Sequence, residues 1–312
     1  MYRIDDSTAA TSLPTPETEG TEGFFTEGNP ATGTPATNVR GSWLNMIQEE
    51  LRAVVVAAGL TPSKTVYTQL RDAIASMYGG GRLLRTSVYT NVGGTQYVSV
   101  NGGAPTTEGA SSWTALPATN AIEYEGCGAG AGSSGAGGQG PTTVGIGASG
   151  GSGAWGRGRL TSGFGGAQTI TVGVGGTAGT AAPTNGGSGS TTSFGTLASC
   201  PGGAASTFTN GVTTPAIVGA GTGGPAPSGF NIFGSAGNSA EAGIFASVSV
   251  GVSGKGGDTP YGAGGPSVAA GNAGQPGSGY GSGASGAAVG ASGAGQPGAV
   301  GANGIWIIRE YS

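Results

Sequence analysis

Hydrophobic residues follow a helical period in one part of the chain. Between residues 42 and 80, Trp43, Ile47, Leu51, Val54, Val55 and Ala58 recur mostly at spacings of three and four, which puts them on one helix face. Ser42 is suited to cap the start of this helix, and Gly59 with Pro62 to end it. Ser63 or Thr65 can cap a second helix, whose apolar stripe is Tyr67, Leu70, Ile74 and Met77 and which Gly79-Gly80-Gly81 stops. Two helices this short bury too little surface to be stable alone. Residues 41–82 are therefore expected to need partners, either copies of themselves or another protein.

Around this hairpin the pattern changes. Val98 and Val100 alternate with Tyr97 and Ser99, Trp113 and Leu116 share another segment, and Ile122-Glu123-Tyr124-Glu125 alternates apolar with acidic. Residues 83–125 thus read as short strands. The run Ile305-Trp306-Ile307-Ile308-Arg309-Glu310-Tyr311, within residues 305–312, is a strong strand that should pair with one of them. Residues 1–40 show no period, and Thr15-Pro16, Asn29-Pro30 and Thr34-Pro35 favour extended backbone. Composition alone fits a disordered tail. Tyr2, Ile4, Phe24 and Phe25 are costly to leave in water, however, and point to an arm docked on a partner.

Between residues 126 and 304 neither period lasts, and composition becomes the guide. Of 71 glycines, 57 follow Glu125, whereas 19 of the 26 charged residues precede Gly126. Collagen requires an unbroken three-residue repeat. The longest in-register runs, Gly147, Gly150, Gly153, Gly156 and Gly295, Gly298, Gly301, Gly304, are of a length that chance supplies roughly once or twice at this glycine content. Disorder fits the shortage of large apolar side chains but not the shortage of charge, with five charged residues in 179. Ile170, Val172 and Val174, and likewise Val248, Val250 and Val252, alternate as buried strands would. A folded form is favoured, and backbone hydrogen bonding must sustain it, because each glycine costs ~0.5–1 kcal/mol more than alanine to order. Left-handed three-residue helices make no internal hydrogen bonds, so glycine spacers would let them bond to one another in a lattice. Segments such as 145–156 and 271–281, reversing at Pro-Thr, Thr-Pro and Asn-Gly turns, would build a thin rigid brick with loops at its ends.

The absence of histidine excludes Ser-His-Asp and Cys-His nucleophile systems and His-ligated metal. Cys127 and Cys200 are too few for a four-ligand zinc site or a disulfide framework. A net charge of −4 gives no footprint for nucleic acid. No apolar run approaches membrane-spanning length, and the polar start Met1-Tyr2-Arg3-Ile4-Asp5-Asp6 is unlike a signal peptide. Glu241, Asp258 and Glu310 are the carboxylates after Gly126, a thin basis for glycan cleavage, and no glycine run leads into Gly-Lys-Ser/Thr. No catalytic residue, metal or cofactor is expected.

Recognition would then fall to large side chains on the loops of the brick. The densest group is Trp155, Arg157, Arg159 and Phe164, followed by Lys255, Asp258, Tyr261 and Tyr280, all but Phe164 expected to be exposed. Phe164, Phe230 and Phe233 are expected in the core.

The segment Tyr2-Arg3-Ile4-Asp5-Asp6-Ser7-Thr8-Ala9, then Leu13-Pro14-Thr15-Pro16 and Phe25-Thr26-Glu27-Gly28-Asn29-Pro30, resembles the N-termini of tail-fibre proteins of tailed bacteriophages and prophages. Trp43-Leu44-Asn45-Met46-Ile47-Gln48-Glu49-Glu50-Leu51, Ala58-Gly59-Leu60-Thr61-Pro62 and Gln69-Leu70-Arg71-Asp72-Ala73-Ile74 resemble the same family. Ile122-Glu123-Tyr124-Glu125-Gly126-Cys127-Gly128-Ala129-Gly130 and Gly304-Ile305-Trp306-Ile307-Ile308 are similar to the strands that bracket its glycine-rich tips, with Cys127 where an aromatic or small residue is usual.

The resemblance implies a mixed fold: an extended arm and helical hairpin, then a β/polyglycine-II-helix domain closed by a C-terminal strand. It implies that residues 1–82 dock to phage tail or baseplate proteins and form a homotrimer, through Tyr2, Ile4, Phe24, Phe25, Trp43, Ile47, Leu51, Val54, Leu70 and Ile74. Residues 126–304 would bind a bacterial surface receptor: lipopolysaccharide, a pilus or an outer-membrane protein. The protein would be made in the host cytoplasm and sit in the virion tail, its cysteines kept as buried thiols. A structural fibre or baseplate spacer is the alternative, and a polysaccharide-degrading tail enzyme is further off.

Overall fold

A computed structural model describes residues 1–79 and 81–312; Gly80, in the triplet expected to stop the second helix, lies outside the described residues. The chain forms two compact units, Met1–Arg82 and Leu83–Ser312.

In the first unit, helix α1 (Gly41–Ala57) begins two residues earlier than expected, with Arg40 at its cap position in place of Ser42 and no side-chain cap. Ser42 does not cap it: its hydroxyl donates to Glu17 Oε1 at 2.8 Å. The C-terminal end follows the glycine signal, with Gly59 left-handed (φ 76°) and Leu60 N–H donating to the Val55 carbonyl. Helix α2 (Gln69–Gly79) starts well after Ser63 and Thr65. The Gln69 side chain instead holds the preceding loop, accepting from Ser63 N–H at 2.8 Å and donating to the Thr61 carbonyl at 2.7 Å. Tyr67 falls in the turn before α2 and is 95% exposed, so it is not part of the apolar stripe. The arm is largely irregular, with a 3-10 turn at Pro30–Thr32, and is tied to the hairpin by Arg3–Glu49 and Lys64–Asp5 ion pairs. Val55 and Ala73 are the fully buried apolar side chains of this unit among the described residues.

The second unit begins with a six-stranded antiparallel sheet. Its strands are β1 (Leu83–Val92), β2 (Thr95–Val100), β3 (Ala121–Cys127), β4 (Trp155–Leu160), β5 (Phe233–Ser235) and β6 (Ile305–Tyr311), in the order β5-β4-β3-β6-β1-β2. The closing strand β6 lies between β3 and β1, with Ile305 opposite both Cys127 and Thr90. Alternation sorts the faces. Ile122, Tyr124, Trp306, Ile308 and Tyr89 point into a core shared with Phe194, Trp113, Phe164 and Ile170. Tyr124 stacks on Trp306 at 6.1 Å between ring centroids, with Phe194 and Phe230 alongside. Gly156 and Gly158 of β4 lie over Phe230 and Tyr124, where a Cβ would collide with the rings.

Beyond Cys127 the chain continues into a lattice of Gly, Ala and Ser segments. Residues 128–136 are buried throughout. Their N–H groups leave in three directions in strict rotation. Gly128, Ala131 and Ser134 donate to the carbonyls of Ala154, Gly151 and Ala148; Ala129, Gly132 and Gly135 to Ser190, Gly187 and Thr184; Gly130, Ser133 and Ala136 to Ala302, Ala299 and Gln296. Carbonyls of the same segment accept from Gly203, from Gly176 and Gly179, and from Ala284. Six neighbouring segments therefore surround one, and the backbone groups are paired without a sheet. Such packing tolerates no extra carbon: a Cβ on Gly132 would land on the Thr177 carbonyl oxygen.

At the far end of this lattice lies a second core of Val144, Ile146, Val218, Phe245 and Ala288. It is covered by the strands Ala216–Val218, Gly243–Ser247 and Val250–Val252, which form a three-stranded sheet. Val250 (62%) and Val252 (49%) are exposed on that sheet rather than buried, and Val174 is 41% exposed, whereas Ile170 and Val172 are buried as expected. The strand expectation holds at Ile170, Val250 and Val252, but Val172 and Val174 lie beyond the strand that ends at Thr171 and Val248 lies in a turn; burial fails at Val250 and Val252 because their sheet covers the core from outside.

Candidate functional site

Trp155, Arg157 and Arg159 lie on β4 and not on a loop. Their strand alternates them with Gly156 and Gly158, so the glycines face the aromatic core and the three large side chains emerge on the other face. Trp155 is half-buried; Arg157 and Arg159 are exposed. Arg157 Nη2 donates to Glu123 Oε2 at 2.6 Å, and Arg309 Nη2 to Glu125 Oε1 at 2.8 Å. Tyr261 donates its hydroxyl to Glu125 Oε2 at 3.3 Å. Burial, with the Glu125 charge added, raises the Tyr261 phenol well above its ordinary range.

Tyr261 and Tyr280 sit on adjoining turns, joined by Tyr280 N–H to the Tyr261 carbonyl and by Thr259 Oγ1 to the Tyr280 carbonyl at 2.6 Å. Both are half-buried, as are Lys255 and Asp258, which were expected to be exposed. Lys255 Nζ bonds Asp258 Oδ2 at 2.5 Å and, with Gly264 N–H, holds the Asp258 carboxyl below its usual range. The structure thus pairs Arg157 with Glu123, Tyr261 with Glu125 on the same strand, Tyr261 with Tyr280, and Lys255 with Asp258. Arg159 makes no ion pair among the described residues. This surface lies where the sheet meets the lattice, and most of its polar groups are already satisfied internally. Phe164 is buried and Phe230 packs against the core, but Phe233 is 51% exposed on the edge strand β5 and is not a core residue.

The opposite end of the lattice has a different surface. Ile217 lies opposite Ile244, and Ile244 opposite Val252, which makes one row across three strands. These side chains are 72%, 48% and 49% exposed, while their neighbours Val218 and Phe245 are buried beneath. No charged residue occurs in 137–147, 208–218, 243–252, 269–272 or 289–295, the turns and strands of this end. The surface can make apolar contacts and neutral hydrogen bonds and lacks the means for ion pairing. The sequence held a signal for it: Ile217-Val218 and Ile244-Phe245 put an apolar residue on each face of a strand, and one core can use only one face.

Cys127 and Cys200 are free and buried, and burial pushes the Cys127 thiol up to about 12. Among the described residues no three His, Cys, Asp or Glu side chains gather into a metal-binding group, and no helix is long and apolar enough to cross a membrane.

No family model matches the chain. A stretch of 77 residues is 40% identical to a protein of Escherichia coli (strain K12) described as "Uncharacterized protein StfP". The stretch makes up 25% of this chain and 35% of that protein, so the match spans about a third of the relative.

Proposed function

We propose that this chain is a phage tail-fibre adhesin that attaches the virion tail to the bacterial surface without chemistry of its own. The observation that carries the reading is the uncharged row Ile217, Ile244 and Val252, exposed at the end of a hydrogen-bonded lattice remote from the six-stranded sheet. Apolar side chains held in water on a rigid support are what an interface retains. The rotation of hydrogen bonds every three residues, with six neighbours around residues 128–136, supports reading the glycine segments as polyglycine-II helices. The N-terminal unit would dock to tail or baseplate proteins and form a homotrimer. Exposure of Tyr2, Ile4, Phe24, Phe25, Trp43 and Ile74 favours this, with Ile47, Leu51, Val54 and Leu70 half-buried between. The partial likeness to StfP is consistent with the tail-fibre resemblance of the same chain.

The lack of charge at the far end favours a neutral or apolar receptor feature, such as loops of an outer-membrane protein or a pilus, over the phosphates of lipopolysaccharide. The test is adsorption: purified full chain is added to host cells, and phage attachment is measured. Binding with competition supports the adhesin; if the chain neither binds nor competes, it is a spacer and the receptor contacts belong to another protein. Release of oligosaccharide from envelope material would instead identify an enzyme.

A further inference from the structure

The N-terminal unit holds a cavity of about 690 Å³ where the start of the arm crosses the hairpin. Leu44, Ile47, Val66 and Leu70 line it from the hairpin, Tyr2 and Ile4 from the arm. Charge sets the register of the crossing. Arg3 pairs with Glu49 of α1 at 2.6 Å, and Asp5 with Lys64, ahead of α2, at 2.6 Å. Between them Ile4 N–H donates to Gln48 Oε1 at 2.7 Å. A cation and an anion two residues apart thus meet an anion and a cation on the hairpin, so the groove is complementary to this segment in one direction only. The grip is nevertheless shallow. Residues 1–6 are all exposed, Tyr2 by 50% and Ile4 by 70%, and surface ion pairs hold weakly. From Asp6 to Pro16 the arm makes no hydrogen bond or ion pair with the hairpin among the described residues; the next tie is Glu17, to Arg40 and Ser42.

We infer, on the homotrimer reading above, that the arms exchange: residues 1–5 of each copy fill the groove of its neighbour, and Arg3 and Asp5 pair with the partner's Glu49 and Lys64. The occupant is a second copy because the groove already fits this segment, charge for charge. Residues 6–16 reach at most about 36–40 Å when extended, whereas packed helices lie about 8–10 Å apart, so the tether spans to the same groove on an adjacent hairpin. Exchange keeps every bond that the arm makes on its own hairpin. It also ties together units that bury little by themselves, with Val55 and Ala73 as the fully buried apolar side chains among the described residues.

Full chains carrying Arg3→Cys and full chains carrying Glu49→Cys can be co-expressed and treated at neutral pH with a short bis-maleimide, the native Cys127 and Cys200 being buried. Links between the two kinds of chain are expected, and a chain with both substitutions should give covalent trimers under denaturing conditions. Links confined within single chains, or none between chains in the mixture, overturn the inference. Charge reversal supplies the second readout. Lys64→Glu, which turns three attractions per trimer into repulsions, should raise the concentration of half-dissociation about three- to tenfold in sedimentation, and adding Asp5→Lys should restore it. An unmoved dissociation, or no rescue by the second reversal, overturns the inference, and unaltered circular dichroism separates a lost contact from a lost fold. A chain that stays monomeric removes the homotrimer and the exchange together, whereas a trimer linked only within its chains removes the exchange alone. Host-cell binding enters none of these measurements, so the adhesin reading stands or falls separately.

Discussion

Arg85 and Glu310, 225 positions apart in the sequence, form an ion pair across the neighbouring strands β1 and β6 with the carboxylate fully buried. The same carboxylate accepts from the Trp113 indole N–H at 3.1 Å, Leu116 N–H at 2.9 Å and Thr119 Oγ1 at 2.8 Å. It therefore ties the loop between β2 and β3 to the closing strand. Glu310→Ala leaves the guanidinium and three donors without their acceptor and should cost about 3–5 kcal/mol. Glu310→Gln, which keeps the shape and part of the acceptance, should cost less. Urea unfolding of the full chain measures both, and a loss below about 1 kcal/mol for alanine would contradict the account.

Lattice glycines should divide sharply by surroundings. Gly132→Ala drives a methyl group onto the Thr177 carbonyl and should destabilise by about 3 kcal/mol or prevent folding. Gly219 has open space where a Cβ would go, so Gly219→Ala should be neutral or gain about 0.4–1 kcal/mol through the unfolded state. Unfolding midpoints of the two variants decide the matter, and equal shifts would refute close packing as the reason for glycine.

Stability should decline in alkali. Burial raises the Cys127 thiol from 9.0 to about 12 and the Tyr89 phenol from 10.0 to about 12, and pushes Cys200 upward too. Above pH 9 the unfolded chain loses these protons while the folded chain retains them, so unfolding becomes progressively easier. The stabilisation is complete below pH 9 and is lost between about pH 9 and 12. Denaturant midpoints at intervals across that range should fall, and less steeply in the Cys127→Ala variant. Thiol reagents at pH 8 should label neither cysteine until the protein unfolds.

At the far end of the lattice, Ile217→Asp or Ile244→Asp places charge in the middle of the apolar row without disturbing the core beneath. Binding to host cells should fall by about thirtyfold or more, the scale of an interface hot spot, with little change in melting temperature. Arg159→Ala, on β4, should leave adsorption untouched. The reverse pattern would return recognition to the Trp155 surface.

The strands bracketing the glycine block were legible because Ile122-Glu123-Tyr124-Glu125 and residues 305–311 carry their own alternation. α1 was legible from its apolar stripe and Gly59, with only its cap displaced. The second helix was less so, since it starts at Gln69, beyond the Ser63 and Thr65 hydroxyls, which meet each other at 3.2 Å and do not cap it. The lattice defeated the test for a three-residue repeat for a geometric reason. Residues 128–136 are enclosed by six neighbours, so every position must be small, and no single position in three is marked by glycine. Burial of Val250 and Val252 was misjudged because alternation reports a strand but not which face meets the core. The partners of Arg157, Lys255 and Tyr261 depend on residues far away in sequence, and nothing local announces them.

Three lattice segments run directly into strands of the large sheet: β3 into residues 128–136, residues 148–154 into β4, and residues 296–304 into β6. Tension between Leu83 and the far turns would thus follow continuous covalent spans, with transverse bonds loaded together in shear instead of opened one by one. We expect a single-molecule pull along this axis to rupture the second unit in one high-force event, and stepwise low-force unravelling would refute that. Glycine, the residue most associated with slack, here makes a tether stiff.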